Sequence, residues 1–151
     1  MYAFPPLPFV EIGKQPRLTG DGPASWSCWV MVARPKSRKF ASWGSLPGAY
    51  CTTVKASSVA QKNGDRIPGG KPEWLMRAII GDYTRPGDLV CDPCAGGATT
   101  LLAAYQTGRR AIGAELDPAT YAKAKARLDR AMAQPHLFDP GLAKAVQNKM
   151  F

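Results

Sequence analysis

Between Asp88 and Leu116 two short apolar runs flank one helical segment, and no other stretch of the 151-residue chain narrows the fold as much. Asp88 to Cys91 starts a short buried strand, and Asp92 to Gly97 is a glycine-containing loop. Ala98 to Thr107 reads as a helix closed by Gly108 in the usual C-terminal position. Arg110 to Leu116 reads as a second strand. Asp117 is expected to cap a further helix, with Pro118 just inside its first turn, running through Tyr121, Ala124 and Leu128 to about Ala133. The basic residues at 123, 125, 127 and 130 read as a solvated face of that helix. Strand, loop, helix and strand in this order build a parallel sheet with a right-handed crossover. The fold class is α/β.

Upstream the pattern is looser. Residues 1–25 are rich in Pro and Gly and read as an irregular lead-in. Trp26 to Ala33 reads as a strand, and Tyr50 to Val54 as a short one. Pro72 suits a helix start, and Trp74, Leu75, Ala78 and Ile79 form one apolar stripe of a helix reaching about Tyr83. The expected organisation is a basic irregular segment with a partial sheet (1–70), a cofactor-binding α/β region (71–133) and a tail (134–151). Four cysteines do not make a disulfide framework, no run is long and apolar enough for a membrane span, and the start is a poor signal peptide, so a cytoplasmic location is expected. Cys28 and Cys51 read as small buried apolar side chains. A zinc site from Cys28, Cys51, Cys91 and Cys94 is poorly supported, because only one pair is close in sequence.

The net charge of +9 is uneven. Residues 1–80 hold eleven Lys/Arg against four Asp/Glu, and the remainder nine against seven. A basic first half suits a polyanion such as nucleic acid. Arg34, Lys36, Arg38 and Lys39, near Trp26, Trp29 and Trp43, are the candidate DNA-facing residues. A basic loop beside core tryptophans is the plain alternative.

Asp92-Pro93-Cys94-Ala95-Gly96-Gly97 falls where a strand ends and a helix begins, the usual ligand position of an open α/β sheet. Small residues let a ligand approach the backbone, and helix-start amides offer donors. Glu115, at the end of the next strand, suits both hydroxyls of an unphosphorylated ribose. No Gly-x-Gly-x-x-Gly or Gly-Lys-Ser/Thr pattern is present. An acid at position 92 argues against a pyrophosphate and suits a ligand carrying an ammonium group. S-adenosylmethionine meets these requirements. The alternative is a tight strand-to-helix turn with no ligand.

Lys71-Pro72, the run Arg85-Pro86-Gly87-Asp88-Leu89-Val90-Cys91-Asp92-Pro93-Cys94-Ala95-Gly96-Gly97-Ala98-Thr99-Thr100, and Gly108-Arg109-Arg110-Ala111-Ile112-Gly113-Ala114-Glu115-Leu116-Asp117, followed by Tyr121 and Arg127-Leu128, closely resemble the amino-group DNA methyltransferases. The resemblance is to the permuted class whose cofactor half comes last. It implies a Rossmann-like S-adenosylmethionine-dependent methyltransferase fold and methyl transfer to N6 of adenine or N4 of cytosine in double-stranded DNA. It also implies cofactor contacts from Lys71, Pro72, Asp92, Pro93, Cys94, Ala95, Gly96, Gly97, Thr99 and Glu115, and a target-recognition-like region within residues 1–70. The family commonly has Phe where Cys94 stands and Gly where Ala98 stands. Ala98 is expected to crowd the loop, because Ala does not comfortably take φ > 0.

Methylating an exocyclic amine needs a hydrogen-bond acceptor for the NH₂ group and an aromatic ring against the flipped base. The family supplies both with Asp/Asn/Ser-Pro-Pro-Tyr/Phe/Trp. Here the one Pro-Pro is Pro5-Pro6, flanked by Phe4 and Leu7. The expectation is therefore an incomplete fold, the C-terminal part of a methyltransferase. It would be a truncated member such as a prophage remnant, or half of a split enzyme completed by a second polypeptide, and inactive alone. A restriction partner is left open. Three other readings stand beside it: a degenerate motif with catalysis retained, a non-catalytic DNA-binding remnant, and a thiol oxidoreductase using Cys91-Asp92-Pro93-Cys94. Gln134-Pro135-His136-Leu137-Phe138 resembles peptides that dock on sliding clamps, although a hydrophobic contact at the helix tail explains it as well.

Overall fold

The computed structural model describes residues 2–12, 27–34, 46–53 and 71–133. Among these, β2 (Leu7–Ile12) is the centre of a three-stranded sheet. It runs antiparallel to β3 (Ser27–Val30) and parallel to β5 (Tyr50–Thr53). A smaller antiparallel pair joins β1 (Tyr2–Ala3) to β4 (Ala33–Arg34). The lead-in is thus strand where irregular chain was expected. Pro8 hides the pattern, since proline has no N–H for a ladder. In the sheet Pro8 is paired with Trp29 alone, and the pairing with β5 starts only at Phe9. The missing donor therefore falls where β2 has a single neighbour. The expected strand over Trp26 to Ala33 is split, because Phe4 donates to the Val32 carbonyl (2.9 Å) and the chain changes partner there.

Cys28 and Cys51 are exposed, against the expectation of burial. Cys51 follows Tyr50, and successive strand residues face opposite sides, so burying Tyr50 turns Cys51 outward. Cys28 lies on an outer strand of the sheet.

Helix α1 (Glu73–Tyr83) joins the two halves of the molecule. Leu75 packs with Phe9 and Tyr50, flanked by Trp74, Ala78 and Ile79, so the expected stripe meets the three-stranded sheet. A second face, Met76 and Ile80, packs on Ala103, Ala104 and Val90. Both alanines are fully buried, and their small side chains let α1 approach α2 (Thr99–Gln106) closely. Arg109 ties the ends of these helices together, donating to the Thr84 hydroxyl and carbonyl and to the Thr107 carbonyl.

Strands β6 (Leu89–Asp92) and β7 (Arg110–Gly113) are parallel, with Leu89 opposite Arg110 and Asp92 opposite Gly113. α2 is their crossover and α3 (Pro118–Ala133) follows. β7 stops at Gly113, short of the expected Leu116. Beyond it the Ala114 amide donates to the Asp92 carbonyl (3.0 Å), while the Ala114 carbonyl accepts from Ala95 (2.8 Å). These bonds draw the chain across the strand ends toward the loop. Gly113 is needed for close approach: a Cβ there would lie 2.9 Å from Leu101 and 3.0 Å from the Asp92 carbonyl.

Parallel strands are normally covered on both faces. Val90 faces α2, but Leu89, Cys91 and Ile112 are exposed, and among the described residues β6 pairs only with β7. No helix among the described residues is long and apolar enough to cross a membrane.

The Tyr50 hydroxyl donates to Asp82 at the end of α1 (2.8 Å). Burial, with the Asp82 contact adding to it, holds the Tyr50 hydroxyl protonated well above the usual tyrosine range. Burial raises Tyr83 as well. The unfolded chain ionises these groups near pH 10, whereas the folded chain keeps their protons. Their contribution to stability is therefore full below about pH 10 and is lost as pH rises above it. Tyr50→Phe is expected to lower stability at neutral pH by about 1 kcal/mol and to flatten the alkaline decline. Urea midpoints on either side of about pH 10 check this.

Candidate functional site

The loop between β6 and α2 is closed by its own backbone and by two side chains. Asp92, at the last position of β6, accepts the Cys94 amide on its carboxylate (3.2 Å) and so sets the turn. Ala98 donates back to the Ala95 carbonyl (2.8 Å). Gly96 takes φ +50, and nothing lies within 4 Å of where its Cβ would be, so the loop is open to solvent above it. Ala98 takes φ +57 at the helix cap, the conformation expected to disfavour it. It is nevertheless almost wholly buried, and that packing holds it in place.

Glu115 lies two residues beyond β7, on the stretch that crosses the strand ends. Its carboxylate accepts the Gly96 amide (2.8 Å) on one oxygen and the Asp117 amide (3.0 Å) on the other. The separation read from the sequence does bring this acid to the glycine loop. Asp117 caps α3 as expected, accepting the amide (2.8 Å) and hydroxyl (2.6 Å) of Thr120. Those bonds hold its carboxyl below the usual carboxylate range.

Pro93 and Cys94 are exposed on the loop, Ala95 is half-buried, and Gly97 and Thr99 are buried beneath it. Lys71 and Pro72 lie immediately before α1, with Lys71 exposed and Pro72 at the cap position. Glu73, the first residue of α1, reaches the loop's support through Arg127. Arg127 donates to the Gly97 carbonyl (2.8 Å), to the Thr99 hydroxyl (3.0 Å) and to Glu73 (3.3 Å). Reading the basic residues of α3 as a solvated face therefore fails at Arg127. Lys123, Lys125 and Arg130 are exposed, but Arg127 is half-buried. The missed signal was helical spacing: Arg127 follows buried Ala124 by three residues, on the inward stripe.

Of the candidate DNA-facing residues, Arg34 is in β4, and Lys36, Arg38 and Lys39 lie outside the described residues. So do Trp26, Trp43 and the clamp-like segment Gln134 to Phe138. Cys91 is within β6 and Cys94 is on the loop, both as free thiols. No group of three or more metal-ligating side chains occurs among the described residues.

A glycine loop closing a β-strand onto a helix, with an acid from the end of the next strand beside it, is the ligand-binding arrangement of Rossmann-like folds, and the methyltransferases are the class that this chain superimposes on. Solved structures bear this out. The complex of M1.HpyAVI with S-adenosylmethionine superimposes with a TM-score of 0.61 at 24% identity, over 83% of this chain and 62% of that one. TTHA0409 of Thermus thermophilus, solved with S-adenosyl-L-methionine, gives 0.55 at 23% identity, over 87% and 55%. The chain belongs to the N6/N4 DNA methylase family, whose profile matches residues 28–126. The DNA adenine methyltransferase YhdJ of Escherichia coli K12 is 39% identical over 82 residues, 54% of this chain and 27% of YhdJ. The match thus spans about a quarter of that relative. Family membership leaves the thiol-oxidoreductase reading without support, since the two cysteines fall within the methylase match.

Proposed function

We propose that this chain is the S-adenosylmethionine-binding part of an amino-group DNA methyltransferase, and that it does not methylate DNA alone. One observation carries the reading: Glu115 reaches the Gly96 amide across an open glycine loop at the end of β6. The donor set fits the cofactor. Each Glu115 oxygen accepts one backbone amide and keeps a lone-pair direction for a ribose hydroxyl. Gly96 leaves room for the nucleoside, and a positive charge is favoured near Asp92. Lys71 and Pro72 would close over the methionine end, and Pro93, Cys94, Ala95, Gly97 and Thr99 would complete the seat. The cofactor supplies an electrophilic methyl group on a sulfonium. The chain's task is to hold it aligned and to exclude water.

An acceptor and a stacking ring for the target amine are not offered by any Asp-Pro-Pro-Tyr-type segment in these 151 residues. Among the described residues, the exposed face of β6 and β7 and the single pairing of β6 leave room for a further segment, from the rest of this chain, from a second polypeptide or from elsewhere in a longer enzyme. DNA is the substrate class, with Arg34, Lys36, Arg38 and Lys39 as its phosphate contacts. Gln134 to Phe138 is the candidate clamp-docking peptide.

Calorimetry of the full chain with S-adenosylmethionine and with its demethylated product, alongside circular dichroism, tests the first claim. Saturable heat is expected with both, and no heat from folded protein overturns it. Labelled methyl incubated with mixed-sequence DNA tests the second. No incorporation is expected, and incorporation by the pure chain overturns it.

A further inference from the structure

We propose that Arg127 is a positioning residue that locks the glycine loop to the start of α1, so that the two edges of the cofactor seat move as one body. This rests on the cofactor reading above. The stretch from Glu115 into α3 grips consecutive residues of the loop from both polar sides. Glu115 accepts the Gly96 amide and Arg127 donates to the Gly97 carbonyl. A carboxylate on the donor and a guanidinium on the acceptor make both bonds charge-assisted, stronger than neutral ones. Arg127 also holds the Thr99 hydroxyl, which fixes the first turn of α2.

The remaining contact reaches outside the loop. Arg127 pairs with Glu73, the first residue of α1 and two positions beyond Lys71. Both side chains are about three-quarters buried, so water competes less for this pair than for a surface one. Glu73 is itself braced by Arg77 (2.9 Å), which also reaches Gln106 at the far end of α2 (3.0 Å). The planar guanidinium presents donors in several fixed directions, and here three are used at once. A lysine offers a point charge without that fork.

Two measurements on the full chain test the proposal. In the unliganded protein, hydrogen exchange of Arg127→Met should rise together at residues 76–79, the first hydrogen-bonded amides of α1, and at Gly96 and Ala98 of the loop, with β2 and β5 unchanged. This readout needs no cofactor, so it stands even if the cofactor reading fails. In calorimetry, S-adenosylmethionine affinity should fall about tenfold in Arg127→Met, and Arg127→Lys should recover only part of it. Glu73→Gln should weaken binding less, and adding it to Arg127→Met should have no further effect. Unchanged exchange at either segment, or full affinity in Arg127→Met, overturns the proposal. Absence of binding by the wild-type chain overturns the cofactor reading instead, and exchange then decides whether Arg127 couples the segments.

Discussion

Replacing Glu115 with Ala is expected to weaken S-adenosylmethionine binding by at least about a hundredfold while leaving the chain folded. The size follows from what one carboxylate does. It anchors the Gly96 amide and braces the Asp117 amide at the start of α3, and each of its oxygens keeps a second lone pair for a further charged hydrogen bond. Hydrogen bonds to charged groups are worth roughly 1.5–3 kcal/mol each, so losing two to the sugar accounts for the change. The loop's geometry makes it larger, because Gly96 at φ +50 then loses its side-chain anchor. Stability should fall by about 1–3 kcal/mol, since the bond to the Gly96 amide is charge-assisted and part-buried while water can replace Glu115 at the exposed Asp117 amide. Glu115→Gln separates charge from shape. Its amide has one acceptor oxygen for two backbone donors, so affinity should fall between wild type and Glu115→Ala. Calorimetry with thermal melts on the same samples reads both quantities. Wild-type affinity in Glu115→Ala would falsify the assignment of this carboxylate to the sugar.

The order of elements from Leu89 to Ala133 was legible because its helices are bounded by local signals, although β7 ends three residues before the expected Leu116. Gly108 follows α2 with φ +73, Asp117 caps α3, and the apolar stripe of α1 is regular. The pairing of loop and acid was legible for the same reason, since a crossover of fixed length returns Glu115 to the loop. What escaped depended on partners distant in sequence. Pro8 made a central strand look irregular, and only the register with β3 and β5 shows why it is tolerated. Cys28 and Cys51 looked like core residues because composition says nothing about which face a strand turns inward. Arg127 looked like one more surface cation, because its three acceptors come from Glu73, Gly97 and Thr99, far away in the chain. The second face of α1 was hidden by the first. Met76 and Ile80 lie off the stripe read from the sequence, and only α2 placed beside them shows what they pack on.

That double-faced helix leads to the largest expected loss of stability. Leu75→Ala should cost about 2–5 kcal/mol, a large share of the 5–15 typical of a whole domain. Leu75 is 2% exposed and sits between Phe9 and Tyr50, so truncation leaves a hole where α1 meets the three-stranded sheet. Little nearby can fill it. Phe9 is already engaged with Trp74, with ring centroids 5.9 Å apart, and Tyr50 is tethered to Asp82. The damage should also be uneven. α1 holds α2 and β6 through Ile80 and Met76, a contact Leu75 does not enter. Hydrogen exchange in Leu75→Ala should therefore rise first over residues 7–12 and 50–53, with residues 89–92 and 99–106 still protected. Ile80→Ala should reverse the order and weaken cofactor binding as well, because Ile80 packs beneath the helix that starts at the glycine loop. If both variants open both regions equally, α1 is part of one indivisible core. If they open different regions, the cofactor seat with β6, α2 and β7 is a separable unit and α1 is the joint that fastens it to the rest.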